Sequence, residues 1–154
     1  PDHVARLIIA DIAPVTYSHS QSQHIEAMRA VDLTQVSRRS DAVGQLAAMG
    51  VDPMLQSFLT QSLDVAGRRW MFNLDALAEN MPAILSFPAL DGAYAGPTLF
   101  LSGDRSDYVT PAHRPAIRAY FPHARFAKIR GAGHWLHAEE PRAFEATVRA
   151  FLNA

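Results

Sequence analysis

Three observations predict an α/β fold built on a parallel sheet. The chain has three short apolar runs that each stop at a turn signal, and amphipathic helical segments follow them. One helical stretch, far longer than a plain crossover needs, separates the first run from the second. Strand, helix, strand, helix is the rhythm of right-handed crossover connections, so the long stretch is expected to be an insertion.

The first run, Leu7-Ile8-Ile9-Ala10, is closed by Asp11-Ile12-Ala13-Pro14 and reads as a strand buried on both faces that ends near Asp11. From about Ser20 onward the pattern turns helical: Ile25, Met28 and Val31 recur three apart, and Leu46, Met49, Met54, Leu55, Phe58, Leu59 and Leu63 follow. Breaks at Gly44, Gly50, Pro53 and Gly67 predict several short helices. Asn73 can cap another that carries Leu74, Leu77, Met81, Ile84 and Leu85, distorted or divided at Pro82.

Behind the turn signals Asp91-Gly92 and Gly96-Pro97, the run Pro97-Thr98-Leu99-Phe100-Leu101-Ser102-Gly103 predicts the second strand. Pro111 opens a short helix to about Phe121, and Phe126-Ala127-Lys128-Ile129 predicts the third strand. The last helix starts near Pro141, where proline is tolerated in the first turn. It is expected to bury Phe144, Val148, Phe151 and Leu152 and to pair Glu145 with Arg149 one turn apart. The organisation that follows is 1–19 as core strand and loop, 20–87 as a helical lid, and 88–154 as the rest of the core.

Of the 154 residues, 49% are hydrophobic and 19% charged, the composition of a soluble globular protein. No apolar run approaches the roughly 18 residues needed to cross a bilayer. Pro1-Asp2-His3 makes no basic leader, so a cytoplasmic location is expected. A net charge of −1 with seven scattered His gives no electrostatic footprint for nucleic acid or an anionic membrane surface, so a small-molecule partner is expected, with no nucleic acid and no membrane. The absence of Cys removes disulfides, thiolate nucleophiles and Cys-based zinc sites. Neither His134 nor His137 has a partner at metal-ligand spacing, so neither metal nor organic cofactor is expected.

In parallel sheets reactive groups gather where strands end, which here selects Asp11, then Asp104 and Asp107, then His134. An imidazole and carboxylates converging on one edge can activate a nucleophile: the ring takes its proton, and a carboxylate holds the tautomer and stabilises the imidazolium. Asp104 is expected instead in a solvated turn with Arg105.

Gly131-Ala132-Gly133-His134-Trp135-Leu136-His137-Ala138-Glu139-Glu140-Pro141 resembles the histidine loop of the α/β-hydrolase superfamily. Residues 96–103 resemble the strand before that loop, and residues 7–14 resemble the strand that precedes the lid. With Arg69-Trp70-Met71-Phe72-Asn73-Leu74-Asp75-Ala76-Leu77, the four segments are similar to short-acyl esterases and thioesterases of that superfamily, over nearly the whole chain. The resemblance implies the C-terminal part of a hydrolase sheet with an inserted lid. It also implies a serine-type carboxyl-ester or thioester hydrolase working through an acyl-enzyme, with His134 as base.

No G-x-S-x-G elbow occurs, and Ser18, Ser20 and Ser22 sit in no Gly-flanked turn. In the family the elbow precedes a segment like residues 1–6. The nucleophile and the oxyanion amides are therefore expected from a preceding half of the same protein or from a second chain. Many members place the acid three residues beyond the strand glycine, which here is Ser106, flanked by Asp104 and Asp107. In the esterase branch it follows the earlier strand, which maps to Asp11. Asp11 and Asp107 stand as the two candidates, with Asp75 assigned to the lid helix. Trp135 and Phe58 are expected to wall an apolar acyl pocket. Epoxide hydrolase, dehalogenase, lactonase and C–C hydrolase chemistry share the fold, and a non-catalytic binding module or inert fragment is the reading from another class.

Overall fold

The computed structural model describes residues 3–18 and 21–154, so Pro1, Asp2 and the expected lid boundary at Ser20 lie outside the described residues. Along the chain run β1 (Leu7–Ala10), α1 (Ser22–Ala30), α2 (Arg39–Ala48), α3 (Pro53–Thr60), β2 (Leu63–Asp64), β3 (Arg69–Trp70) and α4 (Leu74–Ile84). Then follow β4 (Thr98–Gly103), α5 (Arg114–Tyr120), β5 (Ala124–Ile129), α6 (Leu136–Glu139) and α7 (Pro141–Leu152). Two compact units result: residues 1–15 with 87–154, and residues 16–86.

The first unit is a parallel sheet in the order β1-β4-β5. β4 is buried at every position because it is flanked on both sides, with Ile8 opposite Leu99 and Phe100 opposite Phe126. Strand side chains alternate between faces. Leu99 and Leu101 accordingly join Ile129, Leu136 and Phe151 in one cluster, while Phe100 joins Ala13, Val109, Ile117 and Ala124 in another. α7 lines the first cluster through Phe144, Val148 and Phe151, and its Arg149 bonds Glu145 at 2.8 Å. Leu152, expected inside, is exposed, because it falls beside the stripe that Phe144, Val148 and Phe151 define.

β1 pairs on one side only, and its Leu7, Ile8 and Ile9 are half-buried rather than enclosed. The apolar composition read as burial on both faces therefore belongs to an edge strand of this unit.

The second unit packs α1 to α4 and the antiparallel pair β2–β3 around Met28, Val36, Leu46, Leu59 and Leu63. The Trp70 indole N–H donates to the Met28 carbonyl at 2.9 Å, tying the ribbon to α1. Asn73 accepts from the Ala76 N–H at 3.0 Å and caps α4. Two expected breaks are absent. α2 runs through Gly44, since one helical glycine costs only about 1 kcal/mol against alanine and Ala42 and Leu46 bury the helix face. α4 likewise continues past Pro82 to Ile84, because a proline so near the end forfeits a single backbone bond.

At the start of α2 the Asp41 carboxylate accepts hydrogen bonds from the Ser37 N–H, the Ser37 hydroxyl and the Arg38 N–H, at 2.8 to 3.0 Å. The Ser37 hydroxyl, the Ser37 amide and Arg38 hold this carboxyl far below its ordinary value of 3.8. A depressed folded-state pKa contributes stability that is present above the ordinary value and lost as the pH falls toward the folded one. Asp41→Asn should therefore lower the thermal midpoint at neutral pH and flatten its decline on acidification below about pH 4. Thermal melts of both proteins between neutral and strongly acidic pH check this.

Candidate active site

Asp11 follows β1 immediately. Its N–H donates to the Leu101 carbonyl at 2.8 Å, extending the β1–β4 ladder by one residue, and its φ of 49° then turns the chain out of the sheet. Asp tolerates this left-handed region better than most residues because its short side chain can hydrogen-bond locally. The turn buries the carboxylate completely.

Two donors meet on one oxygen of that carboxylate. His134 Nδ1 lies 2.8 Å from Asp11 Oδ2, and the Ser106 hydroxyl donates to the same atom at 2.5 Å. Oδ1 is buried and has no hydrogen-bond partner among the described residues. The Tyr108 N–H donates to Ser106 Oγ at 3.2 Å, and the Tyr108 ring stacks on the imidazole with centroids 3.8 Å apart and planes 18° from parallel. Residues from the ends of β1, β4 and β5 thus converge, as parallel-sheet geometry requires.

The loop that carries His134 is held from below and from behind. Gly131 has a φ of 79°, which favours glycine, and its N–H donates to Asp104 Oδ1 at 2.8 Å. The Glu139 carboxylate accepts from the Gly133 N–H at 2.9 Å, the Trp135 N–H at 3.2 Å and Arg105 at 3.0 Å. Asp104 and Arg105 form the expected exposed turn, in which Arg105 pairs with Glu139 and Asp104 accepts from the Gly131 amide.

Of the other expected residues, Asp107 is exposed, and the Nδ1 bond of His134 goes to Asp11. Asp75 pairs with Arg29 in the helical unit. Trp135 is half-buried next to His134, with its ring stacked against His137. Phe58 lies on α3 with 45% of its surface exposed. Sequence reasoning assigned nothing to Glu139 and no role to Ser106 or Tyr108. For Glu139 a signal existed: a carboxylate five residues after a Gly-His pair, at the end of a short helix, is placed to accept the loop amides. Among the described residues no group of three or more His, Asp or Glu is placed to hold a metal ion.

No family model matches the chain. It is 39% identical over 160 residues to the sn-1-specific diacylglycerol lipase ABHD11 of Mus musculus, covering 99% of this chain and 52% of that protein. It is 33% identical over 154 residues to Esterase YbfF of Escherichia coli, covering 99% of the chain and 59% of that protein. Among solved structures, a marine microorganism esterase superposes with a TM-score of 0.88 at 34% identity, covering 98% of this chain and 62% of that one. The chain belongs to the α/β-hydrolase superfamily. Its three-stranded sheet and site loops form the C-terminal part of that fold, and the chain spans about half the length of the curated relatives it matches.

In this α/β-hydrolase segment the end of β4 fits against the histidine loop with no room to spare. A Cβ on Gly103 would stand 2.2 Å from the Gly133 carbonyl oxygen and 2.3 Å from that of Ala132, both backbone atoms. Gly103→Ala should therefore cost about 1–3 kcal/mol of stability. It should also weaken the His134–Asp11 bond. Chemical denaturation, with the downfield proton signal of a hydrogen-bonded imidazole N–H as a second readout, checks both.

Proposed function

We propose that the complete protein is a serine-type carboxyl-ester hydrolase in which this chain supplies the base, the acid that orients it, and residues that contact the acyl group. The observation that carries the reading is the 2.8 Å bond from His134 Nδ1 to the fully buried Asp11 carboxylate. With Nδ1 so engaged, Nε2 is the atom left to exchange a proton, and the His134 side chain is 43% exposed.

The Ser nucleophile comes from residues outside this chain, and so do the amides that stabilise the oxyanion. The open side of β1 is where the strands that carry them would pair. The Ser hydroxyl attacks the ester carbonyl as His134 Nε2 takes its proton, and the tetrahedral intermediate collapses as that proton passes to the departing alcohol. Water, deprotonated by the same nitrogen, then cleaves the acyl-enzyme to the free acid. Asp11 holds the Nδ1–H tautomer and stabilises the imidazolium. Ser106 keeps the carboxylate facing His134, and Tyr108 fixes the plane of the ring.

The names of the relatives support acyl esters, acylglycerols among them, as the substrate class, and thioesters remain within reach of the same chemistry. The helical unit is proposed as the lid, with half-exposed Phe58 contacting the acyl chain, and Trp135 is proposed as a second contact. The lid and triad assignments rest on the geometry within each unit and on the family's segment order.

In the complete protein, His134→Ala should lower kcat by a factor on the order of 10³ or more without unfolding it, and Asp11→Asn by about 10²–10⁴. His137→Ala should stay within a few-fold of wild type. Equal losses at His134 and His137, measured with p-nitrophenyl esters of increasing chain length, would remove the reading. On the same series Phe58→Ala and Trp135→Ala should raise KM most for the longer acyl groups, and no change with chain length would exclude both from acyl binding.

A further inference from the structure

The chain's net charge of −1 conceals a strong segregation. Residues 108–138 hold 5 of the 14 Lys and Arg and none of the 15 Asp and Glu, so this segment carries +5 and the remainder −6. Of the nine Arg outside this segment, five are ion-paired to carboxylates: Arg29, Arg38, Arg69, Arg105 and Arg149. Within the segment, no ion pair to a carboxylate engages Arg114, Arg118, Arg125, Lys128 or Arg130 among the described residues, and all five are exposed.

Geometry gathers four of them on one surface. Arg114 and Arg118, one turn apart on α5, both lie over the ring of Phe126 on β5, at 4.9 and 5.6 Å. Arg118 also lines an open concavity of about 440 Å³ with His123, Arg125, Pro97 and Pro122. Arg114 lines a second one with Lys128, Val109 and Pro111. Together α5 and β5 present a basic face around these two concavities, with the exposed Pro97, Pro111 and Pro122 beside the charges.

We propose that this face docks the enzyme on the anionic surface of a lipid bilayer. The choice of occupant rests on the lipid-ester reading above, because such substrates partition into membranes and an enzyme that meets them must reach that surface. Charge complementarity supports it: each basic side chain close to an anionic leaflet improves partition about fivefold. A nucleic acid fits less well, since the face of Phe126 that could stack on a base is covered by two guanidinium groups. The expectation of no membrane partner came from a net charge that averages over these two oppositely charged regions.

The test uses the full-length protein in co-sedimentation with vesicles of phosphatidylcholine alone and of phosphatidylcholine mixed with phosphatidylserine. Binding is expected only to the mixed vesicles and should weaken as salt rises. Replacing Arg114, Arg118, Arg125 and Lys128 together by Gln should reduce it by several hundredfold. The double variant Arg125→Gln/Lys128→Gln, which leaves the Phe126 contacts intact, should reduce it about tenfold or more. Hydrolysis of a soluble short-chain p-nitrophenyl ester should be unchanged in both variants. Equal binding to neutral vesicles, or binding untouched by the double variant, would overturn the proposal, as would tighter binding to a single-stranded oligonucleotide at the same salt. If wild type binds mixed vesicles but hydrolyses no ester, the hydrolase reading fails while the docking surface stands.

Discussion

Everything in the candidate site depends on keeping one carboxylate buried and hydrogen-bonded. A buried carboxylate is tolerable only if it is hydrogen-bonded and partnered. Asp11 meets that condition asymmetrically: His134 and Ser106 both bond Oδ2, and Oδ1 meets no partner among the described residues. Removal of either donor would leave a fully buried carboxyl group with a single hydrogen-bond partner. The imidazole is therefore held by a group that needs it, which is a stiffer arrangement than a surface ion pair, worth at most about 1 kcal/mol.

Around that pair the site is assembled from strand ends rather than from a single loop. The Leu101 carbonyl fixes the Asp11 backbone, Gly103 admits the carbonyls of Ala132 and Gly133, and Glu139 gathers the amides of Gly133 and Trp135. Each contact is short-range, and each positions His134 through backbone atoms. The ring itself is then held by the Asp11 carboxylate at Nδ1 and by the Tyr108 ring on its face.

The class of fold, the strands and the residues of the central pair were legible because they follow from local rules. Apolar runs that stop at turns mark parallel strands, and a Gly-His pair before a Pro-initiated helix is a local motif. Asn73 was readable as a cap for the same reason. The short ribbon of Leu63–Asp64 with Arg69–Trp70 was not, because two residues per strand leave no alternation to detect. Gly44 and Pro82 misled because propensity is a weak prior that packing of Leu46 and Met81 overrides. The roles of Ser106, Tyr108 and Glu139 were hidden for another reason: each acts through a contact in three dimensions, and Ser106 meets Asp11 across 95 residues.

The order of pairing in the sheet also constrains how the molecule forms. β1 and β4 are neighbours, with Leu7 opposite Thr98, yet the whole helical unit lies between them in sequence, and Asp11 and His134 are 123 residues apart. The helical unit closes its core around Met28 and Leu46 through contacts nearby in the chain, which incur little loop entropy. β4 and β5 are joined by a short connection, whereas β1 reaches β4 only across the whole helical unit. Before that pairing the apolar strand Leu7–Ala10 has unpaired backbone on both sides, a template for self-association. The same topology that joins Asp11 to His134 leaves the strand before Asp11 open to self-association until β4 pairs with it.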